Sequence, residues 1–150
     1  MLWIILIIIV VIIAFIISTY NGLVQSKMKV DNAWSQIDVQ LQRRFDLIPN
    51  FVETVKGYMN HEQETFEKIA ALRTSWANAT TVEDKAKLDN ELSASLKTIM
   101  AVSENYPELK ANENFKQLSE ELSNTENKIS FSRQFYNDTV TMYNTKLQVF

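Results

Sequence analysis

The 150 residues carry a net charge of −3, no cysteine, two glycines (Gly22, Gly57) and two prolines (Pro49, Pro107). Without cysteine there is no disulfide framework and no thiolate metal site, and so few turn residues exclude an all-β fold or a glycine-rich phosphate loop. Residues 27–56 sum to +1 and residues 57–150 to −4, a poor electrostatic match for nucleic acid, so no nucleic-acid partner is expected.

From Leu2 to Ile17 every residue is apolar, nine of the sixteen being Ile, and no charged side chain precedes Lys27. A helix over Leu2–Val24 spans roughly 34 Å, against a hydrocarbon core of about 30 Å. Trp3 and Tyr20 stand near its ends, where amphipathic rings favour the lipid–water interface. A cleaved signal peptide needs a basic flank and a small-x-small site. No Lys or Arg precedes this run, and Ser18-Thr19-Tyr20 is a poor site. A domain of this size rarely encloses a helix apolar on every face. The expectation is an uncleaved transmembrane anchor over residues 1–25 and a helical domain over residues 26–150. Lys27 and Lys29 follow the span directly, with Arg43 and Arg44 further on. The positive-inside rule then favours the N-terminus outside and the domain in the cytoplasm.

Apolar residues next recur at helical spacing: Val30, Trp34, Ile37 and Leu41, then Ile48, Val52, Val55 and Met59. Pro49 predicts a kink or short break at Leu47–Asn50. The stripe resumes through Phe66, Ile69 and Trp76, and Asn78-Ala79-Thr80-Thr81 reads as the clearest loop. Thr81 with Asp84 approximates a capping box. It opens a third helix from about Val82 to Asn105, with Leu88, Leu92, Leu96, Ile99 and Met100 on its apolar face; Pro107 ends it. A fourth helix opens near Asn112, a good N-cap type. Its stripe is the most regular: Phe115, Leu118, Leu122, Thr125, Ile129, Ser132, Tyr136, Val140, Tyr143, Leu147 and Phe150. This is a heptad seam with one stutter-like slip, read as bundle core or as an intermolecular coiled coil. Only Gly22 lies between the apolar run and the first stripe, and one glycine costs a helix about 1 kcal/mol. One continuous helix is therefore expected to leave the membrane and enter the bundle. The fold class is all-α: an N-terminal transmembrane helix leading into an antiparallel bundle of three to four long helices.

Chemistry has few places to reside. His61 is the only histidine. With Glu62 and Glu64 beside it but no second histidine four residues on, it is not a zinc-protease helix. Paired Glu-x-x-His motifs for a di-metal bundle are absent, so no metal or cofactor is expected. Arg43-Arg44 with Asp46 is more informative. Arg44 falls near the apolar stripe between Leu41 and Ile48 and there needs a carboxylate, for which Glu104, Glu126 and Asp138 are the candidates. The pair reads as an internal ion pair fixing helix register, or as a docking or lipid-headgroup patch near the membrane.

The chain resembles the LemA family of bacterial membrane proteins. The resemblance rests on Tyr20-Asn21-Gly22-Leu23-Val24 and Asn32-Ala33-Trp34-Ser35-Gln36-Ile37-Asp38-Val39-Gln40-Leu41, then Arg43 through Asn50 with Pro49, and His61-Glu62. It continues through Glu104-Asn105-Tyr106-Pro107-Glu108, Thr125-Glu126-Asn127-Lys128-Ile129, Arg133, Tyr136-Asn137 and Tyr143-Asn144. It implies a helical bundle on one membrane helix in the bacterial inner (plasma) membrane, with no established enzymatic activity. It also implies association with a membrane zinc metalloprotease of the heat-shock type and with envelope stress. Members run on past a Phe-Pro step into a further tail, which lies beyond Phe150. Tyr136-Asn137 and Tyr143-Asn144 stand seven residues apart on one helix face. They read as a polar ladder, with asparagine bonding to a neighbouring helix.

The favoured function is a non-enzymatic, membrane-anchored scaffold or adaptor that forms a homo-oligomer. The alternatives are a membrane-associated hydrolase using His61, Arg43, Arg44 and nearby carboxylates, and a lipid-organising sensor using the Lys27/Lys29 region.

Overall fold

A computed structural model describes Leu2 to Val149, and every regular element among these residues is helical. Helix α1 runs over Leu2–Lys56, α2 over Gln63–Asn78 and α3 over Val82–Val102. A 3-10 turn at Ser103–Asn105 and the short α4 (Pro107–Ala111) lead into α5, Glu113–Gln148. Compactness divides the chain into two units, Met1–Gln36 with Ser132–Phe150, and Ile37–Phe131.

In the unit Ile37–Phe131 the predicted stripes become a core. Ile37, Leu41, Ile48, Phe51 and Val55 of α1 are buried together with Ile69 and Trp76 of α2, Leu92, Leu96 and Ile99 of α3, and Phe115, Leu122 and Ile129 of α5. Paired side chains give the topology. Phe45 stacks on Trp76 with ring centroids 4.0 Å apart, and Lys56 Nζ lies 5.7 Å from the Phe66 ring, so α2 runs antiparallel to α1. Asp38 pairs with Lys85 and Arg44 with Asp89, so α3 runs parallel to α1. Phe51 meets Phe115 while Arg44 approaches Glu126, so α5 returns antiparallel. The unit is an up-down-up-down four-helix bundle.

Local caps set where these helices begin. The Thr81 hydroxyl oxygen accepts from the Asp84 N–H at 3.1 Å, and the hydroxyl donates to the Asp84 carboxylate at 2.8 Å. Asn112 Oδ1 accepts from the Phe115 N–H at 3.0 Å while its amide donates to the Tyr58 hydroxyl at 3.0 Å. Each cap satisfies an N–H that the first helical turn leaves without a partner.

Two expected boundaries move. Of the kink or short break expected at Leu47–Asn50, a break does not occur: α1 continues through Pro49 to Lys56. Proline removes one donor, but Ile48, Phe51 and Val55 are all fully buried around it, and that burial outweighs the lost bond. The chain turns instead after Lys56, where the Tyr58 and Met59 N–H groups share the Val55 carbonyl. Gly57 was the available signal for this end. The third helix, expected to reach Asn105, gives way after Val102 to the 3-10 turn that precedes Pro107.

In the unit Met1–Gln36 with Ser132–Phe150, α5 lies antiparallel to α1. Trp34 and Tyr136 meet at 4.9 Å, and Lys146 Nζ donates to Ser26 Oγ at 2.6 Å. The helix shows no break at Tyr20–Lys27; Ser26 Oγ itself donates to the Gly22 carbonyl at 2.9 Å. From Leu2 to Ile17 every large apolar side chain is at least 50% exposed, so none of the described residues covers the run. The seam residue Phe150 lies outside the described residues.

Because α1 is helical on both sides of Pro49, Pro49→Ala restores a donor without a new backbone geometry. It should stabilise the protein by about 1–3 kcal/mol, read as a rise in the midpoint of thermal or denaturant unfolding. An unchanged or lowered midpoint would mean that the proline ring is itself a core contact.

Candidate functional site

Arg44 follows Leu41 by three residues and precedes Ile48 by four, so the helical period directs it into the core, and it is only 3% exposed. A guanidinium withdrawn from water needs partners. Its Nη1 donates to Asp89 Oδ2 at 3.1 Å, and Asp89 is itself 5% exposed. Its Nη2 stands 3.9 Å from Glu126 Oε2, and the other oxygen of Glu126 accepts from Lys97 Nζ at 2.9 Å. One guanidinium thus faces carboxylates on α3 and α5. Thr125, buried beside Glu126, donates its hydroxyl to the Leu122 carbonyl of its own helix at 2.8 Å.

A second cluster joins α1, α2 and α3. Arg73 lies 5.2 Å from the Phe45 ring centroid, Phe45 stacks on Trp76, and Lys85 Nζ stands 4.9 Å from the Trp76 ring. Lys85 also pairs with Asp38 at 2.9 Å. Cation–ring contacts of this kind contribute about 0.5–2 kcal/mol each, more when desolvated. At the far end the Tyr106 hydroxyl donates to the Glu62 carboxylate at 3.3 Å.

Of the proposed partners of Arg44, the structure brings in Glu126 alone. Glu104 lies in the 3-10 turn and accepts from Lys110, and Asp138 is exposed on α5. Asp89 is the partner that sequence reasoning missed. The sequence period puts Leu88 on the apolar face of α3, but the buried line runs Asp89, Leu92, Leu96, Ile99. An acid on that line, three residues before Leu92, was the available signal. Arg43 points away from this pair and is exposed. With Glu121, Asn124, Lys128 and Phe131 it lines an open groove of about 430 Å³. Asp46 is exposed and accepts from Gln42 at 2.9 Å.

The polar ladder on α5 is corrected. Tyr136 and Tyr143 are half-buried, and Tyr136 packs on Trp34, but Asn137 and Asn144 are exposed. One residue is 100° of helix, so when the tyrosines turn inward the asparagines that follow turn to solvent. Trp3, Tyr20, Lys27 and Lys29 are exposed along α1. His61 is exposed in the turn before α2, its N–H donating to Glu62 at 3.2 Å. Among the described residues no three His, Asp or Glu side chains converge on a point that would hold a metal ion.

These contacts tie α1 to α3 and α5. Removing one member of the Arg44–Asp89 pair takes a 3.1 Å partner from a charge that stays buried. Arg44→Met or Asp89→Leu should each cost about 3–5 kcal/mol in unfolding free energy, while the double substitution should recover most of it. A double-mutant cycle with no coupling would contradict this placement.

Partial burial, with the Glu62 carboxylate beside it, raises the Tyr106 phenol above its ordinary 10.0. The folded state therefore favours the protonated phenol. Its contribution to stability is present below about pH 10 and is lost as pH rises through the raised value. Alkaline ultraviolet titration should show one late-ionising tyrosine that disappears in Tyr106→Phe. An unchanged titration curve would remove Tyr106 from that role.

Residues 33–150 match the model of the LemA family. Over 135 residues the chain is 30% identical to Protein LemA of Metamycoplasma hominis, an alignment covering 87% of this chain. The chain spans 60% of the length of that relative. A profile match over most of the chain and a relative sharing its order of residues lead to one assignment: this chain belongs to the LemA family.

Proposed function

We propose that the chain is a non-enzymatic, membrane-anchored helical scaffold that self-associates and presents a helical surface to partners. The observation that carries the reading is the exposed run Leu2–Ile17. Apolar patches of more than a few hundred Å² on soluble monomers mark interaction or membrane sites. A helix of this length and hydropathy is long enough to cross a bilayer. Lys27 and Lys29 support an orientation with the N-terminus outside the inner (plasma) membrane of a bacterium and the bundle in the cytoplasm. Trp3 and Tyr20 then stand at the two interfaces.

Two further features support scaffolding. The charged side chains nearest the core, Arg44, Asp89, Lys85 and Asp38, pair with one another across helices and so act in packing. On α5, Phe131, Phe135 and Met142 recur at steps of four and seven and are 74%, 60% and 61% exposed. That spacing is compatible with the seam of a helix pair and supports self-association through this side of α5. Family resemblance supplies the partner class, a membrane zinc metalloprotease, and the setting, envelope stress.

Native mass spectrometry of the full chain in detergent should show an oligomer, and Phe131→Asp with Phe135→Asp should shift it to monomer. Monomers alone for the parent chain, with nothing co-purifying, would sink the scaffold reading. An oligomer unaffected by the two aspartates would move the interface elsewhere.

A further inference from the structure

This inference rests on the membrane reading and adds a second element to it. In the unit formed by Met1–Gln36 and Ser132–Phe150, the bond from Lys146 Nζ to Ser26 Oγ at 2.6 Å sets Lys146 level with Ser26. The Trp34–Tyr136 contact agrees with this antiparallel register. The last turn of α5 therefore reaches past Ser26 towards Gly22 and the apolar run.

Depth follows from register. The unbroken apolar run ends at Ile17 and the first charged residue is Lys27, so the helix leaves the hydrocarbon core between them, near Asn21. The headgroup layer adds roughly 5–7 Å. Ser26, five residues beyond Asn21, stands near the outer edge of that layer. Val149, three residues past Lys146, lies about 4–5 Å deeper, inside it. Leu147 and Val149 are nevertheless 49% and 80% exposed in the protein.

Charge is layered to match. Lys27, Lys29 and Lys146 cluster at this level and are exposed. Asp31 lies about 6 Å beyond Lys27 and about 3 Å beyond Lys29 along α1, and Asp138 about 12 Å up α5 from Lys146. Lysine stems lie along apolar surface while their ammonium groups reach anionic phosphates. Lys146 also offsets the partial negative charge of the last carbonyls of α5.

We propose that the last turn of α5 is a second membrane contact. Leu147 and Val149 enter the headgroup layer of the leaflet from which α1 emerges, while Lys27, Lys29 and Lys146 bind its anionic phosphates.

The chain has no cysteine, so single cysteines can each carry one nitroxide. Ile9→Cys, Asn137→Cys, Leu147→Cys and Val149→Cys all fall at exposed positions. The labelled full chain is placed in vesicles of phosphatidylglycerol and phosphatidylethanolamine. Power saturation then compares collisions with oxygen, which enters lipid, against a water-soluble nickel chelate. The oxygen-to-chelate ratio should be highest at Ile9, lowest at Asn137, and shifted towards oxygen at Leu147 and Val149. Lys27→Glu with Lys29→Glu should move those two labels towards the Asn137 ratio. If Ile9 is in lipid but Leu147 and Val149 match Asn137, the second contact is overturned and the anchor stands. An Ile9 label open to the chelate overturns the anchor and this contact together. Spin–spin broadening at Leu147 and Val149, with access lost to both reagents, would place a second copy there and overturn the lipid contact.

Discussion

The structure depends on a mismatch between fifteen large apolar side chains, Leu2 to Ile17, and the lack of any described residue packed over them. Full burial of such a side chain is favourable by about 1.5–3 kcal/mol, so leaving all of them at half exposure or more in water costs on the order of 20 kcal/mol. That exceeds the whole stability of a typical domain. A bilayer would supply the missing contacts over the right length, and a helix is the form in which one segment satisfies its own backbone there. The first charged residues, Lys27 and Lys29, fall past the apolar run.

The interior of the unit Ile37–Phe131 answers a different problem. Apolar burial can hold helices together while leaving their register loosely set. Arg44 and Asp89 add a directional requirement, since each is nearly inaccessible and each needs the other. A helix displaced by one turn, about 5.4 Å, would separate them. The Arg73–Phe45–Trp76–Lys85 cluster applies a similar constraint to α2. Pairs of this kind contribute less to net stability than to selecting one packing among several.

Much of the fold was legible because period and breaker content are local signals. The loop at Asn78–Thr81 and the cap at Asn112 could be read from residue type, and the burial of Arg44 from its position between Leu41 and Ile48. What could not be read depends on tertiary balance. Pro49 is a helix breaker by itself, but the burial of its neighbours Ile48 and Phe51 holds the helix through it. Asp89 was overlooked because Leu88 beside it offered an equally helical alternative, and one residue of phase decides which side faces inward. Asn137 and Asn144 failed for the same reason, a rotation of one position about α5. The exposed stripe Phe131, Phe135 and Met142 was hidden behind the more regular seam on the same helix.

Coverage of Leu2–Ile17 by lipid, rather than by protein, is tested most directly by alkaline carbonate extraction of membranes from cells producing the full chain. With lipid over the run, the protein stays with the sedimented bilayer and leaves it only on addition of detergent. Release into the supernatant by carbonate alone would contradict it.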